Sequence, residues 1–398
     1  MLFSLAIMFL SAIVLSAVME KLKLPGLVGM LLTGAVLGPY ALDLVSPKLL
    51  AISADLRQIA LIVILVRAGL ALNVSDLKKV GRASILMCFG PATFEIAAVI
   101  VFAPMLFPIT HLDAAIMGAV LGAVSPAVIV PKMLALIEKG YGKARSVPQL
   151  VMAGAAVDDI YVIVLFATFI GMKSGNGFNP ANLAKIPISV ILGLSVGVLI
   201  GIVLIKLFQK VHMRDTFKIL ILLSSAFLLV SFEELMKPYA PVSGLLAVMA
   251  MGCAILKQNG AVAKRLSIKF SKIWIASELM LFVLVGAEVD AVYALKSGFS
   301  AVVLIIAALL FRMLGVLICL AKTPLRAKER IFCAISYTPK ATVQAAIGGL
   351  PLAYGLSSGK AILTVAAMAI LITAPLGSAG INASYKKLLE DGFKEELH

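Results

Sequence analysis

Residues 151–169 read VMAGAAVDDIYVIVLFATF, an apolar run with two adjacent aspartates, Asp158 and Asp159, at its middle. A run of this length matches a helix that crosses a bilayer, which needs about 20 apolar residues. No face of it is polar enough to meet water along its length. Ionisable groups at bilayer depth cost several kcal/mol, so they are kept for function or paired. The stretch therefore reads as a membrane-spanning helix carrying a working charge at mid-depth.

The rest of the chain agrees. Of 398 residues, 62% are hydrophobic and 14% charged, against roughly half and a quarter in a soluble domain. That composition excludes a soluble globular fold. No polar stretch is long enough for an ATPase, kinase or nucleic-acid module, and no GxxxxGK[S/T] phosphate loop occurs. The net charge of +15, from 35 Lys and Arg against 20 Asp and Glu, would suggest nucleic acid in a soluble protein. Here it fits loop charges that fix membrane orientation. Cys88, Cys253, Cys319 and Cys333 stand singly in apolar runs, and His111, His212 and His398 fall in loops and tail, so no His/Cys metal site is expected. Residues 1–19 lack a basic leader and a small-residue cleavage site, and they read as a retained first helix.

Thirteen apolar segments are expected to cross the membrane: about 2–19, 25–44, 54–74, 81–107, 112–137, 146–172, 183–208, 217–236, 240–257, 267–294, 299–321, 328–353 and 359–383. Loops after odd-numbered segments, with the tail, carry 24 of the 35 Lys and Arg residues, and loops after even-numbered ones carry 7. Charges near a segment's end are taken with the loop they flank; the other four, Arg67, Lys132, Arg312 and Lys340, stand in segment interiors. A miscounted segment would swap sides downstream and spoil this alternation. The pattern predicts an N-terminus outside and a C-terminus in the cytoplasm of the cell membrane. Residues 384–398 make a short cytoplasmic tail.

Two segments are interrupted. The fifth carries Ser125-Pro126 in mid-run, and the twelfth carries Thr338-Pro339-Lys340. Proline removes a backbone donor and clashes with the preceding turn. Either site alone fits a simple kink. Their ordinals differ by seven, so two six-helix halves, about 2–172 and 217–383 around a linking helix 183–208, would be oppositely oriented. Interrupted helices at matching places in inverted halves point to a transporter's midplane site. The chain thus reads as an all-α polytopic membrane protein, a single transport domain of two inverted repeats with crossed broken helices.

Adjacent residues on a helix point about 100° apart, so the two aspartates cannot share a face. One can face a water-filled cavity while its neighbour pairs with a cationic side chain. A carboxylate there holds a proton or a small hard cation, not both. That competition is the chemistry of cation/proton exchange, and carboxylate, hydroxyl, carbonyl and water oxygens suit an alkali ion. Glu95 and Arg312 sit on segments four and eleven, symmetry mates under the seven-segment offset, and a pair between them is expected. Arg312 could instead partner Asp158. Arginine stays protonated, so its role is a fixed counter-charge. Lys340 either offsets half-helix dipoles at the break or snorkels to an interface. Arg67 reads as a structural partner in the core, and Glu278 is a weaker candidate. The Ser125 and Thr338 hydroxyls either line an ion path or cap the backbone.

Asp158-Asp159, the Ser125-Pro126 break and TPKATVQAAIG (338–348) together resemble the monovalent cation/proton antiporter superfamily. ILVRAGLALNVSDLKKVGRASILMCFGPATFEI (64–96) resembles its sodium/hydrogen antiporter branch, which includes the animal NHA-type exchangers. The likeness spans about residues 10–383. It implies a homodimer with a dimerisation domain and a mobile core, working by elevator-like alternating access, without a cofactor or nucleotide. It also implies that the Asp158–Asp159 pair binds Na⁺ or Li⁺ and protons competitively, with Asp159 the principal carrier and Asp158 its paired or modulatory neighbour, and it supports the Glu95–Arg312 pair. Electrogenic relatives carry a lysine where Arg312 stands, so electroneutral exchange is expected here. Alternatives on the same architecture are a K⁺/H⁺ antiporter or a sodium-coupled organic-anion symporter. A membrane aspartyl hydrolase would need its two aspartates on facing helices, and here they are neighbours on one.

Overall fold

The computed structural model describes residues 1–71, 82–174, 180–236, 239–240 and 242–390. Over these residues the chain is helical, and the helices fall into two compact units. The first unit takes the described residues of 1–54, 76–166 and 279–398, and the second those of 55–75 and 167–278.

The first unit holds α1 (Leu2–Lys21), α2 (Gly26–Leu37), α3 (Pro47–Ala51), α5 (Arg82–Met87), α6 (Gly90–Leu106), α7 (His111–Leu121) and α8 (Pro126–Glu138). It also holds α14 (Ala291–Cys319), α15 (Ala327–Ser336), α16 (Thr342–Ile347), α17 (Leu350–Ala353) and α18 (Gly359–Leu388). The second unit contains most of α4 (Ser53–Ala71), with α10 (Pro180–Lys210), α11 (Asp215–Met236) and α12 (Gly244–Gln258). Helices α9 (Val147–Ser174) and α13 (Gly260–Glu288) have residues in both. Each of the thirteen expected segments contains a helix. Among the described residues, nine helical stretches are long and apolar enough to cross a membrane. Three further apolar helices, Gly26–Leu37, Gly244–Gln258 and Thr342–Ala353, are shorter, and α4 carries Asp55, Arg57 and Arg67.

Three segments differ from expectation: the tenth, expected over 267–294, ends at Glu288, and α14 opens already at Ala291. The second ends at Leu37 rather than near 44, because Gly38 takes an extended backbone ahead of Pro39. The fourth, expected as one helix over 81–107, is split into α5 and α6. Pro91 in the first turn of α6 has no N–H to give the Met87 carbonyl, so the earlier helix stops there. Residues 72–81, which include part of the third segment and its following loop, lie outside the described residues, as do residues 391–398 of the tail.

Within the second unit, α10 lies against α12 through glycines spaced every four residues, the small-residue pattern that lets membrane helices approach closely. A Cβ at Gly193 or Gly201 would sit 2.6 Å from the Ser243 or Met251 carbonyl oxygen, and one at Gly197 would fall on the Ala247 carbonyl. Gly197→Leu is therefore expected to lower stability by about 1–3 kcal/mol, the usual cost of overfilling a packed contact. A melting temperature in detergent equal to that of the wild type would refute this.

In the first unit, both interrupted segments begin at a buried carboxylate. Asp113 N–H donates to Thr110 Oγ1 at 3.2 Å while Thr110 N–H donates to Asp113 Oδ2 at 3.3 Å, and Ser358 Oγ donates to Asp113 Oδ1 at 3.0 Å. This is the reciprocal capping pattern of a helix N-terminus, and it ties the start of α7 to the start of α18. At α15, Arg326 N–H donates to Glu329 Oε2 at 2.7 Å, and Arg145 reaches both Glu329 (3.1 Å) and Glu390 (3.2 Å).

Candidate functional site

The two breaks fall where the prolines put them. Helix α7 ends at Leu121 and α8 starts on Pro126; α15 ends at Ser336 and α16 starts at Thr342. Interrupting a helix strands amide and carbonyl groups that have no intrahelical partner, and lipid offers them none. Several of the stranded groups at these breaks meet specific partners. Ser125 N–H donates to Pro339 O at 2.8 Å, joining one break directly to the other. Gln344 Nε2 donates to the Ala123 carbonyl at 2.9 Å and to Val120 and Leu121 at 3.2 Å. Its Oε1 accepts from Ala341 N–H at 2.8 Å, and Lys340 N–H donates to Thr373 Oγ1 at 2.8 Å. Val124 N–H donates to Asp158 Oδ2 at 2.9 Å.

Between the breaks lies a buried charge cluster. Arg312 is 0% exposed, Asp158 0%, Glu95 1% and Lys340 1%. Arg312 pairs with both candidate carboxylates: Nη1 is 2.7 Å from Glu95 Oε2, and Nη2 is 2.6 Å from Asp158 Oδ2. Its Nη1 also donates to the Gly122 carbonyl, and its Nε donates to Tyr337 O at 2.7 Å. The guanidinium lies 5.5 Å from the Tyr337 ring centre. Lys340 Nζ is 2.5 Å from the same Glu95 oxygen. The planar fork of arginine can satisfy several acceptors at once; the choice between Glu95 and Asp158 therefore does not arise. Nor does Lys340 snorkel: it is sealed inside and paired.

Two fixed cations thus face two carboxylates. Asp159 is half-buried, and no ion pair engages it among the described residues. Its Oδ1 lacks a hydrogen-bond partner, as do Asp158 Oδ1, Ser125 Oγ and Thr342 Oγ1, all of them buried atoms. Unpartnered buried oxygens are uncommon and call for a reason. Carboxylate and hydroxyl oxygens are the kind of ligand a hard cation takes.

The remaining candidates separate. Thr338 Oγ1 donates to Ile335 O at 2.8 Å, so it caps the backbone; Ser125 Oγ makes no such bond. Pro126 opens α8, and Pro339 lends its carbonyl to Ser125. Arg67 lies in the second unit, within electrostatic reach of Glu278, whose carboxylate also accepts from the Trp274 indole. Gln344, Thr373 and Tyr337 hold the breaks, and residue-by-residue reading missed all three. A lone glutamine in an otherwise apolar stretch after a Pro-Lys break was the available signal.

Comparison with known proteins gives a consistent result. A family model described as sodium/hydrogen exchanger, transmembrane, matches residues 6–384. The human protein sodium/hydrogen exchanger 9B2 is 34% identical over 412 residues, covering 98% of this chain and 75% of its own length. Human sodium/hydrogen exchanger 9B1 is 34% identical over 400 residues, covering 95% of this chain and 76% of its own. The solved structure of the sodium proton antiporter MjNhaP1 from Methanocaldococcus jannaschii shares the fold, with a TM-score of 0.83 over 96% of this chain and 97% of that one, at 19% identity.

Proposed function

The chain belongs to the sodium/hydrogen exchanger family, and from that premise we propose that it is a secondary active Na⁺(Li⁺)/H⁺ antiporter whose Asp159 holds the cation and the proton in turn. It is a multi-pass membrane transporter, not an enzyme. The observation that carries the proposal is the charge balance: Arg312 and Lys340 are committed to Glu95 and Asp158, and Asp159 stands outside those pairs. One uncommitted carboxylate binds one monovalent cation or one proton. Asp158 steadies it and does not itself exchange, because its Oδ2 is held by Arg312 and Val124.

The same reading makes the transport electroneutral, one cation for one proton. Alternating access moves the cluster between the two sides in an elevator-type step. The alternation of loop charge supports thirteen crossings, two inverted repeats and a cytoplasmic C-terminus in the cell membrane. The family likeness supports a homodimer with a core and a dimerisation domain.

Purified protein in proteoliposomes tests this. Na⁺ or Li⁺ is expected to collapse a preformed pH gradient, with no organic solute needed, and clamping the membrane potential is expected to leave the rate unchanged. Collapse driven by K⁺ alone would reassign the cation. A rate that follows the potential would refute the one-for-one count.

A further inference from the structure

The peptide unit joining Ala123 to Val124 lies in the break between α7 and α8, and side chains hold both of its polar ends. Its N–H, on Val124, donates to Asp158 Oδ2 at 2.9 Å, and its carbonyl, on Ala123, accepts from Gln344 Nε2 at 2.9 Å. The same nitrogen spreads its donors over the Val120 and Leu121 carbonyls at 3.2 Å. On its other side, Gln344 Oε1 accepts the Ala341 N–H that opens α16. Gln344 is 0% exposed. Few side chains could do all this: glutamate has no donor when ionised, lysine and arginine have no acceptor, and asparagine is one methylene shorter.

Asp158 depends on that peptide. Its Oδ2 takes hydrogen bonds from Arg312 and Val124, and its Oδ1 makes none. If the Ala123–Val124 peptide turned about its own axis, the Val124 N–H would leave Oδ2 and the carboxylate would lose one of its two anchors. A carbonyl held from the far end prevents the turn. Both contacts reach this peptide from outside its own helix, so ordinary helix geometry does not supply the restraint.

We infer that Gln344 is a positioning residue for the cation site, fixing the Ala123–Val124 peptide and, through its N–H, the orientation of the Asp158 carboxylate beside Asp159. Gln344 touches neither ion nor proton. The inference rests on the exchange reading above and names a further residue that sets its cation affinity.

Two substitutions in the full-length protein separate the possible roles. Gln344→Met removes donor and acceptor together at similar volume; Gln344→Glu keeps the acceptor for Ala341 and, protonated in this buried place, replaces two amide donors by one O–H. Reconstituted exchange is measured against Na⁺ and Li⁺ concentration, and melting is measured in cation-free detergent. Gln344→Met is expected to raise the half-saturating Na⁺ concentration about tenfold, the loss of a buried anchoring hydrogen bond, and Gln344→Glu to raise it less. The rate at saturating Na⁺ should stay within about twofold of the wild type, as when binding shared by ground and transition states is removed. A lowered melting temperature with unchanged half-saturation in the surviving protein would make Gln344 merely structural and overturn the assignment. Wild-type half-saturation in Gln344→Met would overturn it as well. A wild-type protein that exchanges neither Na⁺ nor Li⁺ for protons would instead bring down the exchange reading, and this inference with it.

Discussion

Asp159→Asn is expected to reduce Na⁺-driven proton flux in proteoliposomes to that of empty vesicles while the protein keeps its fold. Asparagine has nearly the same volume but cannot ionise, so it offers neither a proton to release nor a charge to attract a cation. The fold should survive because Asp159 enters no ion pair among the described residues and its Oδ1 has no hydrogen-bond partner. Removing an uncompensated charge from a half-buried position relieves a desolvation cost, so the melting temperature should hold or rise. Asp158→Asn gives the contrast. It takes one of the two anionic partners from Arg312, so its first effect should be on melting. Na⁺-driven exchange by Asp159→Asn at the wild-type rate would end the carrier assignment. So would a pattern in which Asp158→Asn alone stops transport and the fold is unharmed.

Much of this was readable because the bilayer simplifies the problem. Long apolar runs must be helices there, so each of the thirteen segments contains one. Prolines mark the breaks at 122–125 and 337–341, although Pro104, Pro131 and Pro375 lie inside unbroken helices. The pairing of Glu95 with Arg312 followed from helix order, with no knowledge of distance. Other features depended on reach rather than pattern. The spacing of Arg312 says which helix it stands on, but not that its fork spans two carboxylates and two carbonyls. Lys340 sits beside a break, and only the position of Glu95 across from it decides between an interface and an ion pair. Pro91 splits the fourth segment through the carbonyl four residues before it, a local rule that hydropathy ignores. Gln344 was hidden for another reason: its partners are backbone atoms of a helix more than two hundred positions away, and carbonyls leave no mark in a sequence.

Arg312→Met should cost the most stability of any single change proposed here. The guanidinium holds Glu95, Asp158, the Gly122 carbonyl and Tyr337 O together, all without solvent. Methionine fills part of the volume but leaves Asp158 with the Val124 N–H as its one hydrogen bond and leaves Glu95 to Lys340 alone. Removing one partner of a buried ion pair costs about 3–5 kcal/mol, because a charge stays behind uncompensated. Little folded, monodisperse protein is therefore expected in detergent, with a melting temperature far below that of the wild type. Neutralising the stranded Asp158 carboxylate as well should recover much of the loss, since removing both sides of a pair is far cheaper than removing one. The double change Arg312→Met and Asp158→Asn, which keeps the Glu95–Lys340 pair, should thus melt well above Arg312→Met alone. Arg312→Lys should fall between, because a single ammonium keeps the charge but cannot form the fork that reaches both carboxylates. Were Arg312→Met as stable as the wild type, the cluster would not be what fixes the two breaks against each other. The orientation of Asp158 beside Asp159 would then have to come from the backbone contacts alone, chiefly Ser125 to Pro339 and Gln344 to Ala123.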